Sequence, residues 1–318
     1  MNLYESEDCY EYMGNPKDII LKNKLNDSYI EKSNNNSFAL FKTIEEIIYI
    51  VYSNITSMII FNLNENTIVT EIKNAMGDCD IRDIIHCLDE SNKRDLILSL
   101  SEHSMALWNI SKLELLFKKV KVNRASFLKH NNEIYIFTSY GLIGTDDEPY
   151  KVYDLKGNLI KKIKHNDFPT EFLYIYQNYI ITAHYKGYIN IYNYLKECLY
   201  YKLDCSYCDI AVDGREEDCI KLFIAFSTIK IYDFHKKILL KEINIGVNVL
   251  CLFNNEYLFG ARGGIIILVN LKTEKEKILK SHKNRILSIK KIIHKNYGPC
   301  LISQGELIDN IKCWKIIF

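Results

Sequence analysis

The sequence predicts an all-β fold built from repeated units. Two observations lead to this prediction: one short apolar pattern recurs seven times along the 318 residues, and a lysine-rich amphipathic segment follows almost every copy. Only 4 prolines and 13 glycines are present and 48% of the residues are hydrophobic, which favours a large packed core over a chain rich in linkers.

The recurring pattern is an apolar strand that ends in a large residue, followed in all copies but the last by Asn or Asp, and then by another apolar residue. Its copies are MIIFNL at 58–63, MALWNI at 105–110, YKVYDL at 150–155, INIYNY at 189–194, IKIYDF at 229–234, IIILVNL at 265–271 and IKCWKI at 311–316. The large residues are Phe61, Trp108, Tyr153, Tyr192, Tyr232, Val269 and Trp314, spaced 37 to 47 residues apart. Self-similarity at such a period indicates a repeat protein.

A second strand is predicted after each of the first six copies. The segments are TIVTEIKNA, LELLFKKVKV, NLIKKIKH, CLYYKLD, KILLKEIN and EKILKSH. Apolar and charged positions alternate in them, which is typical of a strand at the solvent-facing edge of a sheet.

These units resemble degenerate WD40 repeats, in which the Trp-Asp signature survives as WN, YD, YN, YD and FN and weakens to VN and WK. SEHSMALWN and HYKGYINIYN are similar to the family's segment before Trp-Asp, while the Gly-His element survives only in part, as His282 in SHKNRILSI and as the glycine of GDCDIRDI. The resemblance covers residues 17–318 and implies a single seven-bladed β-propeller with four strands per blade.

The chain ends on the apolar strand IKCWKIIF, which has no following partner in the sequence. Because an uncovered apolar edge favours aggregation, we expect another segment to pair with it. Residues 17–26, KDIILKNKLN, resemble the edge strand KILLKEIN, so we predict that they complete the seventh blade. Residues 1–16 are predicted to be a flexible acidic N-terminus.

The resemblance also implies a buried hydrogen-bonded network in the last blade, formed by His282, Ser303, Asp309 and Trp314. Such a network is structural. A Ser-His-Asp set also occurs in hydrolases, but the chain has no GxSxG motif and no P-loop, GxGxxG or HExxH motif. We therefore expect no catalytic residues, no cofactor and no enzymatic activity.

The cysteines do not predict a metal site. Cys205 and Cys208 form a CxxC pair, but the sequence offers no second pair with matching spacing. Most of the 10 cysteines fall in apolar segments, as in a reduced intracellular protein of the cytoplasm or nucleus. The N-terminus does not resemble a signal peptide, and no apolar segment is long enough to predict a transmembrane helix.

The charges are balanced overall, with 41 basic and 40 acidic residues, so the chain as a whole attracts neither nucleic acid nor anionic membrane. Residues 272–295 are the exception, because they hold nine basic residues against two glutamates. They indicate either a binding surface for RNA or anionic lipid, or a solvated edge strand and loop.

The fold prediction leads to a functional one: a non-enzymatic scaffold that holds protein partners or peptides on the loop-lined top face of the propeller. Candidate partner-binding residues in the predicted turns of that face are His184, Arg262, Lys283 and Arg285. Any one of them could instead be an ordinary turn residue. We expect a monomeric propeller within a larger complex, with RNA or anionic-lipid binding through residues 272–295 as the alternative.

Overall fold

The computed structural model describes residues 10–12, 38–141, 148–164, 170–184, 187–215, 219–280, 282–294, 298–306 and 311–316. Within them the chain forms seven four-stranded antiparallel sheets, and the fold is a seven-bladed β-propeller. The chain divides into two compact units, residues 41–206 and residues 207–318 together with 1–40. No helix in the described ranges has the length and hydrophobicity needed to cross a membrane.

Blades one to four contain the strands of the first unit, apart from the first three residues of β2. Blade one has β2 (Phe38–Lys42), β3 (Ile48–Asn54), β4 (Ser57–Asn62) and β5 (Thr67–Ile72). Blade two has β7 (Asp83–Asp89), β8 (Arg94–Leu100), β9 (Ser104–Asn109) and β10 (Glu114–Val120). Blade three has β11 (Arg124–His130), β12 (Glu133–Ser139), β13 (Tyr150–Tyr153) and β14 (Leu159–Ile163). Blade four has β15 (Thr170–Tyr176), β16 (Tyr179–His184), β17 (Tyr188–Asn193) and β18 (Cys198–Asp204).

The other unit contains blades five to seven. Blade five has β19 (Asp209–Asp213), β20 (Lys221–Ala225), β21 (Ile229–Asp233) and β22 (Ile238–Ile243). Blade six has β23 (Val249–Leu252), β24 (Tyr257–Arg262), β25 (Ile265–Asn270) and β26 (Glu276–Lys280). Blade seven has β27 (Ile286–His294), β28 (Gly298–Gly305), β29 (Ile311–Ile316) and β1 (Tyr10–Tyr12). Outside the blades lie the short strand β6 (Ala75–Asp78) and a 3-10 helix (Ile110–Lys112).

All seven copies of the recurring pattern are the third strands of their sheets. In blades one and two every residue of this strand is buried. The lysine-rich segments form the fourth strands, where exposed and partly buried positions alternate, as in β5. Within each compact unit, apolar residues of adjacent blades close the interfaces between them; Phe223 and Ile267, for example, are almost fully buried in one cluster. Each such side chain contributes about 1.5–3 kcal/mol to the stability of the fold.

The Asn or Asp of the pattern caps the turn between the third and fourth strands. In five blades its side-chain oxygen accepts hydrogen bonds from backbone N–H groups two to four residues further on, with donor–acceptor distances of 2.7–3.2 Å. These residues are Asn62, Asp154, Asn193, Asp233 and Asn270. Blade two differs, because Asn109 makes no such bond and the 3-10 helix follows it. The Asn or Asp of the signature is therefore explained by the hydrogen bonds that it makes to the turn that follows.

A β-bulge recurs in the fourth strand of blades one to five, opposite the step between the large signature residue and the residue before it. The inserted residues are Val69, Leu116, Ile160, Tyr200 and Leu240. A bulge leaves one residue unpaired and changes the direction of its side chain. In each of these blades the bulge therefore changes the direction of an apolar or aromatic side chain, which no longer follows the alternation of side chains between the two faces of the strand.

An N-terminal strand does pair with the C-terminal strand, as predicted, but it is not the predicted segment. Strand β1 pairs antiparallel with β29, with Tyr10 opposite Ile316 and Tyr12 opposite Trp314. Two predictions are thus corrected: the edge strand of blade seven is Tyr10–Tyr12 and not residues 17–26, and residues 10–12 are a strand within the segment predicted to be flexible. Strand pairing uses backbone groups, so similarity to another edge strand does not decide which segment pairs. Residues 17–26 lie outside the described residues.

Candidate interaction surface

A chain of hydrogen bonds links three of the four predicted network residues in blade seven. The indole Nε1–H of Trp314 donates to Oγ of Ser303 at 3.0 Å, and this Oγ lies 2.8 Å from Nε2 of His282. Asp309, the fourth predicted member, lies outside the described residues. Ser303 is fully buried, so its hydroxyl group satisfies polar neighbours in the core and is not presented to solvent.

Blade two contains a matching chain that the sequence reasoning missed. Trp108 Nε1–H donates to Ser99 Oγ at 3.1 Å, and the Ser99 hydroxyl donates to Sδ of Met76 at 3.0 Å. In both blades the serine lies two residues beyond the residue that faces the tryptophan on the second strand. Met76 was not recognised because methionine in an apolar segment looks like ordinary core. The detectable signal was the serine nine to eleven residues before each tryptophan.

The comparison of the two blades favours one tautomer of His282. A thioether can only accept a hydrogen bond, so in blade two the serine donates and Met76 accepts. With the same direction in blade seven, Nε2 of His282 would accept and the neutral ring would carry its proton on Nδ1, which is buried without a hydrogen-bond partner among the described residues. Burial, together with the nearby charge of Lys312, lowers the pKa of His282 to about 3, which is consistent with a neutral imidazole.

His184, predicted as a partner-binding turn residue, is the last residue of β16 and is fully buried. Its Nε2 lies 2.9 Å from Oγ1 of Thr182, and its ring stacks on Tyr188 with 4.6 Å between the ring centroids. This prediction is corrected, because a side chain covered on all sides cannot contact a partner in this structure. The physical reason is that the hydroxyl and aromatic groups around it satisfy the imidazole within the blade.

Arg262, Lys283 and Arg285 are all exposed, and the structure brings their segments together. Arg262 ends β24, while the other two lie in the segment before β27. The amide N–H of His282 donates to the carbonyl oxygen of Gly264 at 2.9 Å, and that of Ile286 donates to the carbonyl oxygen of Gly263 at 2.8 Å. We call these three side chains the basic loop cluster. Backbone hydrogen bonds therefore fix the loops that carry it, although the side chains themselves face solvent.

The basic stretch 272–295 does not form one surface. Lys277 lies on the fourth strand of blade six, Lys283 lies in the following loop, and Lys290 and Lys291 lie on the first strand of blade seven. The ammonium group of Lys291 donates to the carbonyl oxygen of Phe253 at 2.6 Å, so this lysine links two blades. Two parts of the stretch are exposed outside the strands: the turn at 272–275, and the segment at 283–285 that carries Lys283 and Arg285.

Asp209 is an unpredicted, partly buried residue at the start of β19, and its carboxylate makes two hydrogen bonds to backbone groups. Its Oδ2 accepts from the backbone N–H of Leu250 on the neighbouring blade at 2.7 Å, and its Oδ1 accepts from Ile210 N–H at 2.8 Å. Burial raises its pKa to about 6, although these two hydrogen bonds and the charge of Lys290 act in the opposite direction. The carboxylate thus connects blades five and six at a cost in desolvation.

We expect stability to depend on pH through Asp209. Because its pKa is higher in the folded chain than in the unfolded chain, its contribution is fully present below pH 4 and is lost as the pH rises towards 6. The variant Asp209→Asn should therefore gain about 2.5 kcal/mol relative to wild type between pH 4 and pH 7.5. Urea unfolding at both pH values measures this, and Asp78→Asn, at an exposed carboxylate, is the matched control. An equal pH trend in Asp209→Asn and wild type would contradict the assignment.

No disulfide joins the described cysteines, of which Cys87, Cys251, Cys300 and Cys313 are buried. Cys208 is exposed. No group of three or more His, Cys, Asp or Glu side chains in the described ranges is arranged to hold a metal ion.

Comparison of the sequence with models of known protein families gave no match, and comparison with curated proteins gave none either. The fold and the residues above therefore carry the functional argument.

Proposed function

We propose that this protein is a WD40-type propeller that acts as a non-enzymatic scaffold for protein partners or peptides. The single observation that carries this proposal is the basic loop cluster, in which exposed Arg262, Lys283 and Arg285 are presented by loops held to each other through backbone hydrogen bonds. Loops on a rigid β scaffold are the usual location of binding residues, and arginine is enriched at interfaces. Propellers commonly serve as interaction scaffolds.

Several features support the proposed WD40 family, the non-catalytic role and the proposed cellular compartment. The tryptophan–serine chains in blades two and seven support WD40 ancestry. Ser303 is buried in its hydrogen-bonded chain, which supports a structural and not a catalytic role for His282 and Ser303. The absence of disulfides among the described cysteines supports a reducing compartment, such as the cytoplasm or nucleus. We expect the protein to function as a monomeric propeller within a larger complex.

Affinity purification with quantitative mass spectrometry tests the scaffold function. The variant Arg262→Glu, Lys283→Glu, Arg285→Glu should lose its main partners by at least about tenfold, because reversing charges at an interface creates repulsion. Its control is Lys73→Glu, Lys93→Glu, Lys112→Glu, which makes the same charge change at exposed lysines of the other unit.

Two results would contradict the proposal. One is an unchanged set of partners in both variants. The other is retention of the wild-type protein on RNA or on phosphatidylserine vesicles with a steep loss of binding on adding salt, which would favour the nucleic-acid or lipid alternative.

A further inference from the structure

A groove of about 360 Å³ lies between blades five and six, away from the basic loop cluster. Its apolar part is formed by Phe223, Ile231, Leu240 and Leu271. This volume is within the range of sites that accept one or a few side chains of a ligand. The groove belongs entirely to one compact unit of the chain.

One of the fourth-strand residues that line the groove is a lysine. In blade two the residue that faces Leu107 is Phe117, which fills the interface with blade three and packs against Gly157, where an added Cβ would lie 3.0 Å from its ring. In blade five the equivalent residue, opposite Ile231, is Lys241. Its ammonium group donates to the carbonyl oxygen of Leu271 at 2.7 Å and pairs with Glu274 at 2.9 Å. A slender lysine stem thus stands where blade two has an aromatic ring, and the space beside it stays open.

The strand beside the groove, β22, is unusually apolar. Ile238, Leu239 and Leu240 of β22 are 51%, 47% and 45% exposed. Among the described fourth strands, no other has three consecutive exposed apolar residues of this size. The bulge at Leu240 places one of them at the groove itself, so the exposed surface and the cavity are continuous.

The backbone of β22 is also available for pairing, because β22 is the last strand of its sheet. An extended segment can add to such an edge through main-chain hydrogen bonds, while alternate side chains enter neighbouring pockets. The combination of a free edge, exposed apolar residues on β22 and an adjacent cavity fits an extended peptide better than a compact small molecule.

The charged side chains around the groove indicate which charge a bound peptide should carry. Five charged side chains line it and carry one net positive charge. Lys241 is paired with Glu274, and Asp213 is paired with Arg215, whereas Lys221 and Lys272 form no ion pair with other described residues. Two acidic groups of the lining oppose them: Glu256, which has no ion pair among the described residues, and Asp213, whose pKa is lowered first by Arg215 and also by the charge of Lys221. Two available ammonium groups beside an apolar cavity favour a ligand with carboxylates beside an apolar side chain.

We propose that the groove between blades five and six binds an extended peptide segment of a protein partner, with an apolar side chain in the cavity and a neighbouring carboxylate on Lys221 or Lys272. The peptide would lie along β22. This site is separate from the basic loop cluster, and the two proposals can fail independently.

Selection of random linear peptides displayed on phage against the full chain tests the proposal. Recovered peptides should carry Leu, Ile or Phe next to Asp or Glu. Their synthetic forms should bind the variant Lys241→Phe at least about tenfold more weakly, because the new ring would fill the pocket of the apolar anchor. The matched control is Lys161→Phe at the equivalent position of blade three, where Lys161 lies over the ring of Tyr194 and pairs with Glu197. Thermal unfolding shows whether each variant is folded.

A second variant changes the charge of the groove and places no additional ring in its cavity. Lys221→Glu combined with Lys272→Glu should weaken the acidic peptides by at least about tenfold, while the triple charge reversal of the basic loop cluster should leave them unaffected. The proposal is overturned if no peptide is enriched, or if enriched peptides bind Lys241→Phe as tightly as wild type. It is also overturned if β22 instead pairs with a second copy of the chain, which sedimentation would show as a concentration-dependent dimer sensitive to Leu239→Lys.

Discussion

Replacing His282 with methionine should make the protein less sensitive to acid. The pKa of His282 is lowered by burial to about 3 in the folded chain, whereas an unfolded histidine titrates near 6.5. Between these values the unfolded chain binds more protons than the folded chain, so stability is fully present above pH 6.5 and falls as the pH decreases. Wild type should lose about 2 kcal/mol at pH 5, and about 3 kcal/mol at pH 4, through this residue alone.

Methionine is the appropriate replacement because the chain already uses it. In blade two Met76 accepts from Ser99 at 3.0 Å, in the position that His282 has relative to Ser303. His282→Met should therefore keep the hydrogen-bonded chain to Trp314 while removing the titrating ring. The converse variant, Met76→His, should introduce acid sensitivity into blade two.

Urea unfolding at pH 7.5, 5 and 4 measures the effect. The control is His235→Met, since His235 lies in a turn outside the hydrogen-bonded chain. Parallel pH profiles of wild type and His282→Met would contradict the assignment of a buried neutral imidazole. The opposite pH trend of Asp209 makes variant-by-variant comparison necessary, because the two contributions partly cancel in wild type between pH 4 and pH 6.

The blades could be predicted from the sequence because the residues that mark their third and fourth strands lie close together in the chain. A large residue followed by Asn or Asp marks the end of a third strand, and the structure shows the cause: the polar side chain caps the turn that follows, as Asp233 does with the N–H groups of His235 and Lys236. Alternation of lysine and apolar residues then marks the fourth strand. Both signals depend on neighbours within a few residues, and therefore they survive even where the repeat is degenerate.

The predictions that failed depended on how the strands pair and not on the local pattern of residues. His184 is the last residue of β16, where pairing with β17 places Tyr188 on its ring and Thr182 lies 2.9 Å from its Nε2, so it is buried although it lies near a predicted turn. The choice of Tyr10–Tyr12 over residues 17–26 is made by backbone pairing, which leaves little trace in side chains. The basic stretch 272–295 is contiguous in sequence, but an antiparallel blade sends its successive parts to a fourth strand, a loop and a first strand.

The groove and the carboxylate of Asp209 were missed for a related reason. Lys241 is one of many lysines on fourth strands, and only comparison with Phe117 at the equivalent position reveals that it leaves a space. Asp209 begins a strand, and its hydrogen bond to Leu250 and the desolvation of its carboxylate depend on the blade beside it. Such sites come from differences between equivalent positions of the repeat, and those positions can be aligned only when the register of each sheet is known.

Gly264 should be the least replaceable glycine near the basic loop cluster. A Cβ at this position would lie 2.4 Å from the carbonyl oxygen of His282 and 2.9 Å from that of Asn284. Both obstacles are backbone atoms, which cannot rotate away as a side chain could. We expect Gly264→Ala to destabilise the fold by more than about 3 kcal/mol, because the hairpin and the loop before β27 must separate and lose the hydrogen bond from His282 N–H to the Gly264 carbonyl oxygen.

Gly298→Ala supplies the contrast, because its Cβ would meet nothing within 4 Å, although its φ of +73° is unfavourable for alanine. That variant should lose only about 1–2 kcal/mol, the cost of a left-handed backbone conformation.

Thermal and urea unfolding measure the stability of both variants. The amount of partner that folded Gly264→Ala captures should decrease along with its free energy of unfolding. Equal destabilisation by the two substitutions would mean that conformational strain, and not the close approach of the loop to the hairpin, sets the requirement for glycine. Partner capture that persists after the loop has separated would show that Arg262 and Arg285 bind without being held together. Gly264→Ala therefore tests whether the close contact of the loop with the hairpin is needed for stability and for partner binding.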